Sequence, residues 1–126
     1  MTIYFDNSRN MEIMDSDSVA EVMVGRLAAL ASGHRLAVFK ALVRAGISGL
    51  SAGEIARRLK IPPSSLSFHL AHLSNEGLVQ SERQGRSIIY RADFSAMESL
   101  VRYLFEECCA EGCDPLPRSA QKGIEA

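Results

Sequence analysis

The chain has 126 residues, about one average domain, and its 47% hydrophobic and 23% charged residues exclude a disordered or collagen-like polypeptide. A net charge of −1 argues against a uniformly basic nucleic-acid coat, but it conceals a partition: residues 32–92 hold nine Lys/Arg and three acids (+6), and the two ends hold five and twelve (−7). A basic middle between acidic flanks points to a polyanionic partner met by the middle alone.

Residues 1–16 read as an N-terminal extension without the charged-then-apolar order of a secretory signal. No window supplies the roughly 18 continuous apolar residues of a membrane span. The expectation is a cytoplasmic protein with no membrane partner. From Asp17, the residues Val19, Val22, Met23, Leu27 and Leu30 recur at helical spacing, with Asp15, Ser16 and Asp17 as N-cap choices. A second helix is expected over 32–45, burying Leu36, Phe39, Leu42 and Val43, before Gly46 and Gly49 punctuate the chain. Ser51-Ala52-Gly53-Glu54 has capping-box spacing and opens a short helix over 52–59. Ile61-Pro62-Pro63 ends it, because the residue before a proline leaves the helical region. The next helix runs to about Glu76 with Leu66, Leu70 and Leu73 inward and Gly77 as its stop.

Two helices joined by so short a turn make a helix-turn-helix. Residues 79–83 and 87–91 are strand-like around Gln84-Gly85-Arg86, which gives a β-hairpin, the wing of a winged helix. Ser95-Ala96-Met97-Glu98 is a second capping-box pattern and starts a last helix with Met97, Leu100, Val101, Leu104, Phe105 and Cys108 on its apolar side and Gly112 at its end. Residues 17–113 thus form one domain, and 114–126 read as a flexible tail. The fold class is α+β and mainly helical, a winged helix-turn-helix with a two-stranded β-hairpin wing, and dimeric. Val19, Met23, Leu27, Leu100 and Leu104 make the first and last helices more apolar than one small core requires, so these form the expected dimer surface.

The run from Leu27 through His34-Arg35-Leu36, then Ser65-Leu66-Ser67-Phe68-His69-Leu70, Glu76-Gly77-Leu78-Val79, Gly85-Arg86 and Tyr90-Arg91, resembles the ArsR/SmtB family of bacterial metal-responsive repressors. The resemblance spans about two-thirds of the chain in the right order. It implies a homodimer that binds double-stranded operator DNA and releases it when a metal or metalloid ion binds.

A recognition helix needs small polar residues where it enters the major groove. Opposite the leucine stripe lie Ser64, Ser65, Phe68 and His72, with Ser67 alongside. The serines suit bases or phosphates, and Phe68 suits a thymine methyl or a sugar. His69 borders the stripe and reads equally as a half-buried histidine or a DNA contact. Arg83 and Arg86 on the wing are well placed for phosphates or the minor groove, or are solvated hairpin charges, and Arg57, Arg58 and Lys60 are expected to add sequence-independent phosphate attraction.

All three cysteines, Cys108, Cys109 and Cys113, fall within six residues. Packing rarely needs three thiols so close, and no histidine has an evident route to them as a catalytic base, so an enzyme is not expected. Two inducer sites used elsewhere in the family are missing: Ser51-Ala52-Gly53 has no thiol where a Cys-x-Cys would stand, and the last helix has no histidine for a zinc site. The triad resembles that of arsenite-responsive members with adjacent cysteines. The inducer implied is trivalent arsenic, As(III), with antimony, Sb(III), or a methylated trivalent arsenical as variants, and no organic cofactor. A thiol redox sensor and a sensor of another soft metal remain the alternatives. Adjacent cysteines point about 100° apart on a helix, so both reach one ion only if the last turn loosens.

Overall fold

The computed structural model describes residues 16–112. Residues 1–15, Cys113 and the 114–126 tail lie outside the described residues. In chain order the described elements are α1 (Ser16–Leu30), α2 (Gly33–Ala45), a 3-10 turn (Gly46–Ser48), β1 (Leu50–Ser51), α3 (Ala52–Leu59), α4 (Pro63–Asn75), β2 (Val79–Gln84), β3 (Ser87–Ala92) and α5 (Phe94–Phe105).

Three of these helices open on a side chain that accepts a backbone N–H left without a partner by the first turn. Ser32 Oγ accepts from Arg35 N at 3.4 Å, Ser51 Oγ from Glu54 N at 3.2 Å, and Asp93 Oδ1 from Ala96 N at 3.0 Å. The predicted capping box at Ser51 is half formed, since the Glu54 carboxylate turns to Arg57 and Arg58. The predicted box at Ser95 is replaced by Asp93. Ser95 donates to the Asp93 carboxylate at 3.1 Å, and Gln80 donates to its other oxygen at 2.8 Å. Burial favours protonation of Asp93, but the hydrogen bonds from Ala96, Gln80 and Ser95 outweigh it and hold its pKa below the usual value.

Pro63 is tolerated at the first position of α4, where no intrahelical N–H is needed. The helix ends in a Schellman motif: Leu78 N donates to Leu73 O and Gly77 N to Ser74 O, both at 3.0 Å. Gly77 supplies the positive φ of 77° that this stop requires. Leu73 and Leu78 are fully buried, so the stop also fixes where the wing begins. The predicted stripe of Leu66, Leu70 and Leu73 packs with Val38, Phe39, Leu42 and Ile55 in one core.

The sheet has three antiparallel strands in the order β1-β3-β2, where a two-stranded hairpin was expected. Leu50 pairs with Tyr90 and Ser51 with Ile89. The third strand is two residues long, too short to show alternation in sequence. Gly49 permits it: a Cβ there would lie 2.5 Å from the Tyr90 carbonyl oxygen. In the wing, Gln84 pairs with Ser87 across a two-residue turn, Gly85-Arg86. No single helix among the described residues is long and apolar enough to cross a membrane.

The last helix departs most from expectation. It stops at Phe105, and Glu107 and Cys109 take left-handed backbone conformations with φ of 63° and 61°. Such residues interrupt a right-handed helix. Cys108 therefore leaves the apolar stripe on which the periodicity placed it.

Candidate nucleic-acid interface and thiol site

With its leucines buried, α4 turns Ser64, Ser65, Ser67 and Phe68 to solvent. Phe68 is 78% exposed, an arrangement that core packing does not explain. Ser67 Oγ donates to the Pro63 carbonyl at 3.2 Å, so toward a ligand this hydroxyl offers lone pairs. The helix carries no Arg, Lys, Gln, Asp or Glu, which leaves serines, histidines and one phenylalanine as its chemistry before Asn75.

His69 is half-buried beside His34 of α2, their ring centres 5.4 Å apart and tilted by 47°. Burial pushes the His69 pKa down, and the nearby His34, Arg35 and His72 push it further the same way. The half-buried reading of His69 thus matches its surroundings. His34 was not identified as its neighbour, because 35 residues of chain separate them and no local spacing joins them. His72, one turn on, is also half-buried. Among the described residues, no three His, Cys, Asp or Glu side chains are placed to hold a metal ion.

Arg83 and Arg86 are exposed on the wing. Arg57 and Arg58 both bond the one carboxylate of Glu54, with Arg58 Nε at 2.7 Å, and these hydrogen bonds lower the Glu54 pKa. Arg91, counted in the basic segment, is occupied: it donates to the Ile47 carbonyl and pairs with Glu82 at 2.6 Å. Arg57, Arg58 and Lys60 are exposed beside α4, which packs against α3.

At the other end, the turns after α5 bring Cys108 Sγ and Cys109 Sγ to 3.7 Å. The loosened helix end is what brings the two sulfurs together. Cys108 is an exposed free thiol, whereas Cys109 is disulfide-bonded. The third predicted ligand, Cys113, lies outside the described residues.

Val24, Leu27, Val101, Leu104 and Phe105 leave an apolar surface on α1 and α5, with Leu104 60% and Phe105 67% exposed. Met23 and Leu100, expected in this surface, are instead buried within the protomer. Their side chains fall on the inward side of the same two helices, so Val24 and Val101 take their place outside.

Comparison with known proteins places this geometry. A helix-turn-helix domain family matches residues 30–82. The HTH-type transcriptional regulator YgaV of Escherichia coli is 31% identical over 98 residues, covering 78% of this chain and 97% of YgaV. The transcriptional activator HlyU of Vibrio cholerae is 29% identical over 100 residues, covering 79% of this chain and 88% of HlyU. The structure of its reduced form superposes with a TM-score of 0.57 at 28% identity, covering 74% and 95% of the two chains. An ArsR-like transcriptional regulator from Rhodococcus sp. RHA1 superposes with a TM-score of 0.64 at 30% identity, covering 74% of this chain and 84% of that one. These relatives are transcription regulators, not enzymes.

Proposed function

Because the chain belongs to the ArsR family of winged helix-turn-helix transcriptional regulators, we propose that it is a homodimeric repressor released from its operator when trivalent arsenic binds its C-terminal thiols. The observation that supports the effector is the grouping of Cys108 and Cys109 on an exposed segment just past α5, their sulfurs 3.7 Å apart, with the disulfide of Cys109 to be reduced before an ion can bind both. Reduced thiolates suit soft, thiophilic ions, and a trivalent ion with a lone pair is satisfied by three of them. Cys113 is the third ligand in this reading. Antimonite and methylated trivalent arsenicals share the chemistry.

The thiols adjoin the apolar residues Val101, Leu104 and Phe105, which pair with Val24 and Leu27 of a second copy. An ion that draws Cys108, Cys109 and Cys113 together reorganises the segment leaving this dimer surface. The two recognition helices must stand about 34 Å apart to meet successive major grooves, so a small change at the dimer surface is enough to lose the fit. On the DNA, Ser64, Ser65, Ser67 and Phe68 meet base edges, His69 and His72 lie along the groove wall, and Arg83 and Arg86 reach phosphates or the minor groove.

Titrating the reduced dimer onto a fluorescent duplex, with and without arsenite, tests the proposal. Saturating arsenite should weaken binding for the wild type and leave Cys108→Ser, Cys109→Ser and Cys113→Ser unresponsive. Unchanged affinity of the wild type in arsenite sinks the arsenic reading.

A second reading has its own observation, the disulfide at Cys109. Here two thiols are oxidised to a disulfide while a peroxide is reduced to two waters, and the disulfide state is the signal. The same titration with peroxide in place of arsenite separates the two.

A further inference from the structure

We propose that Arg26 is a positioning residue for operator recognition, setting the recognition helix α4 against the two helices that form the dimer surface. Arg26 sits on α1 between Val24 and Leu27 in sequence, yet its side chain is half-buried and points inward. Its Nε donates to the Glu76 carbonyl at 3.2 Å, and its Nη1 reaches the Ala96 carbonyl at 3.5 Å. Its Nη2 lies 3.6 Å from where a Cβ would stand on Gly77. One guanidinium thus spans α1, the last residue of the α4 cap and the first turn of α5.

The chemistry suits that role. Glu76 caps the C-terminal end of α4, where the helix dipole is negative and carbonyls lack intrahelical partners. A cation there is favourable, and a planar fork serves two carbonyls on different elements in a way that an ammonium point charge does not. Position matters too. Residues 76–78 are the joint between the recognition helix and the wing, locked by the Schellman bonds of Gly77 and Leu78. Holding that joint fixes both DNA-contacting elements relative to α1 and α5 together.

The consequence is a split between two kinds of DNA affinity. Base-edge contacts depend on the angle of α4, whereas phosphate attraction depends on charge and tolerates misorientation. The test uses the full reduced chain, a duplex enriched from random sequence by the wild type, and an unrelated duplex of equal length. Arg26→Met should lower affinity for the enriched duplex about tenfold while binding to the unrelated one changes less than about twofold. Arg26→Lys, which keeps the charge without the fork, should recover part of the difference. Arg102→Met removes an exposed cation paired with Glu98 and controls for charge alone; it should keep the wild-type ratio.

A wild-type ratio of the two affinities in Arg26→Met overturns the proposal, as does an equal ratio change in Arg102→Met. Circular dichroism and dimer mass accompany each variant. If Arg26→Met does not hold a folded dimer, Arg26→Lys decides: a reduced ratio in a folded dimer supports the proposal, and a wild-type ratio overturns it. No effector enters the experiment, so a failure of arsenite to release DNA leaves this result unaffected.

Discussion

Phe68 is the residue whose exposure asks most plainly for a partner, and a thymine methyl is a partner that can be removed one atom group at a time. Replacing a thymidine by deoxyuridine deletes only the C5 methyl and leaves the base pair's hydrogen bonds unchanged. Phe68 is 78% exposed in the free protein, so nearly all of one ring face is available to cover that methyl. Covering a group of this size is worth about 0.8 kcal/mol, or about 1.6 kcal/mol for two symmetric half-sites, close to 15-fold in affinity. The assay is anisotropy on duplexes in which symmetry-related thymidines are replaced pairwise, for the wild type and for Phe68→Ala. One pair should show the full loss with the wild type, and Phe68→Ala should bind both versions of that duplex equally. If Phe68→Ala remains as sensitive to the missing methyl as the wild type, another residue reads the thymine. If no position matters to the wild type, Phe68 meets the sugar or nothing.

Three further outcomes are expected. Asp93→Ala removes the cap of α5 and should cost about 1 kcal/mol in urea-unfolding stability, with the dimer mass unchanged in native buffer; no loss would mean that Ser95 takes over. The lowered pKa of His69 means that the unfolded chain, with an ordinary value near 6.5, binds this proton more readily than the folded one. Stability should therefore fall as pH drops below about 6.5, and His69→Asn should flatten that slope in pH-resolved melts. Leu104→Glu places a charge in the exposed α5 surface and should shift the mass measured by light scattering toward the monomer, whereas the same change at exposed Ile47, in the 3-10 turn after α2, should not.

Much of the architecture was legible because it rests on local rules. Leu66, Leu70 and Leu73 announce α4 by spacing, Pro63 and Gly77 bracket it, and Ser32 and Ser51 cap their helices as residue type suggests. What escaped the sequence is tertiary. Strand β1 exists because β3 offers an open edge beside Gly49, and two residues carry no period. Residues 106–111 contain Glu and Ala, good helix formers, so nothing local revealed that Glu107 and Cys109 would turn left-handed. The Ser95–Glu98 spacing points to Ser95, whereas Asp93, two residues earlier, is the cap, and a spacing pattern does not weigh a neighbouring carboxylate. At the candidate site, the outward serines and Phe68 followed from the leucine stripe. The pairing of His34 with His69, and the reach of Arg26 to Glu76 and Ala96, required the fold.

The shared carboxylate of Glu54 has a thermodynamic consequence for DNA binding. A free arginine on approach to a phosphate lets the duplex shed a condensed cation, and that release makes affinity fall with salt. Arg57 and Arg58 arrive with a fixed anion between them, so one of their two charges is already balanced inside the protein. Helix α3 should therefore set free fewer ions per protomer than its cations alone imply. Removing the internal anion with Glu54→Gln should steepen the dependence of log K on log salt by about one unit per half-site. On this expectation the wild type keeps its affinity more evenly across ionic strengths than Glu54→Gln does, with Glu54 acting as a counterion that cannot diffuse away.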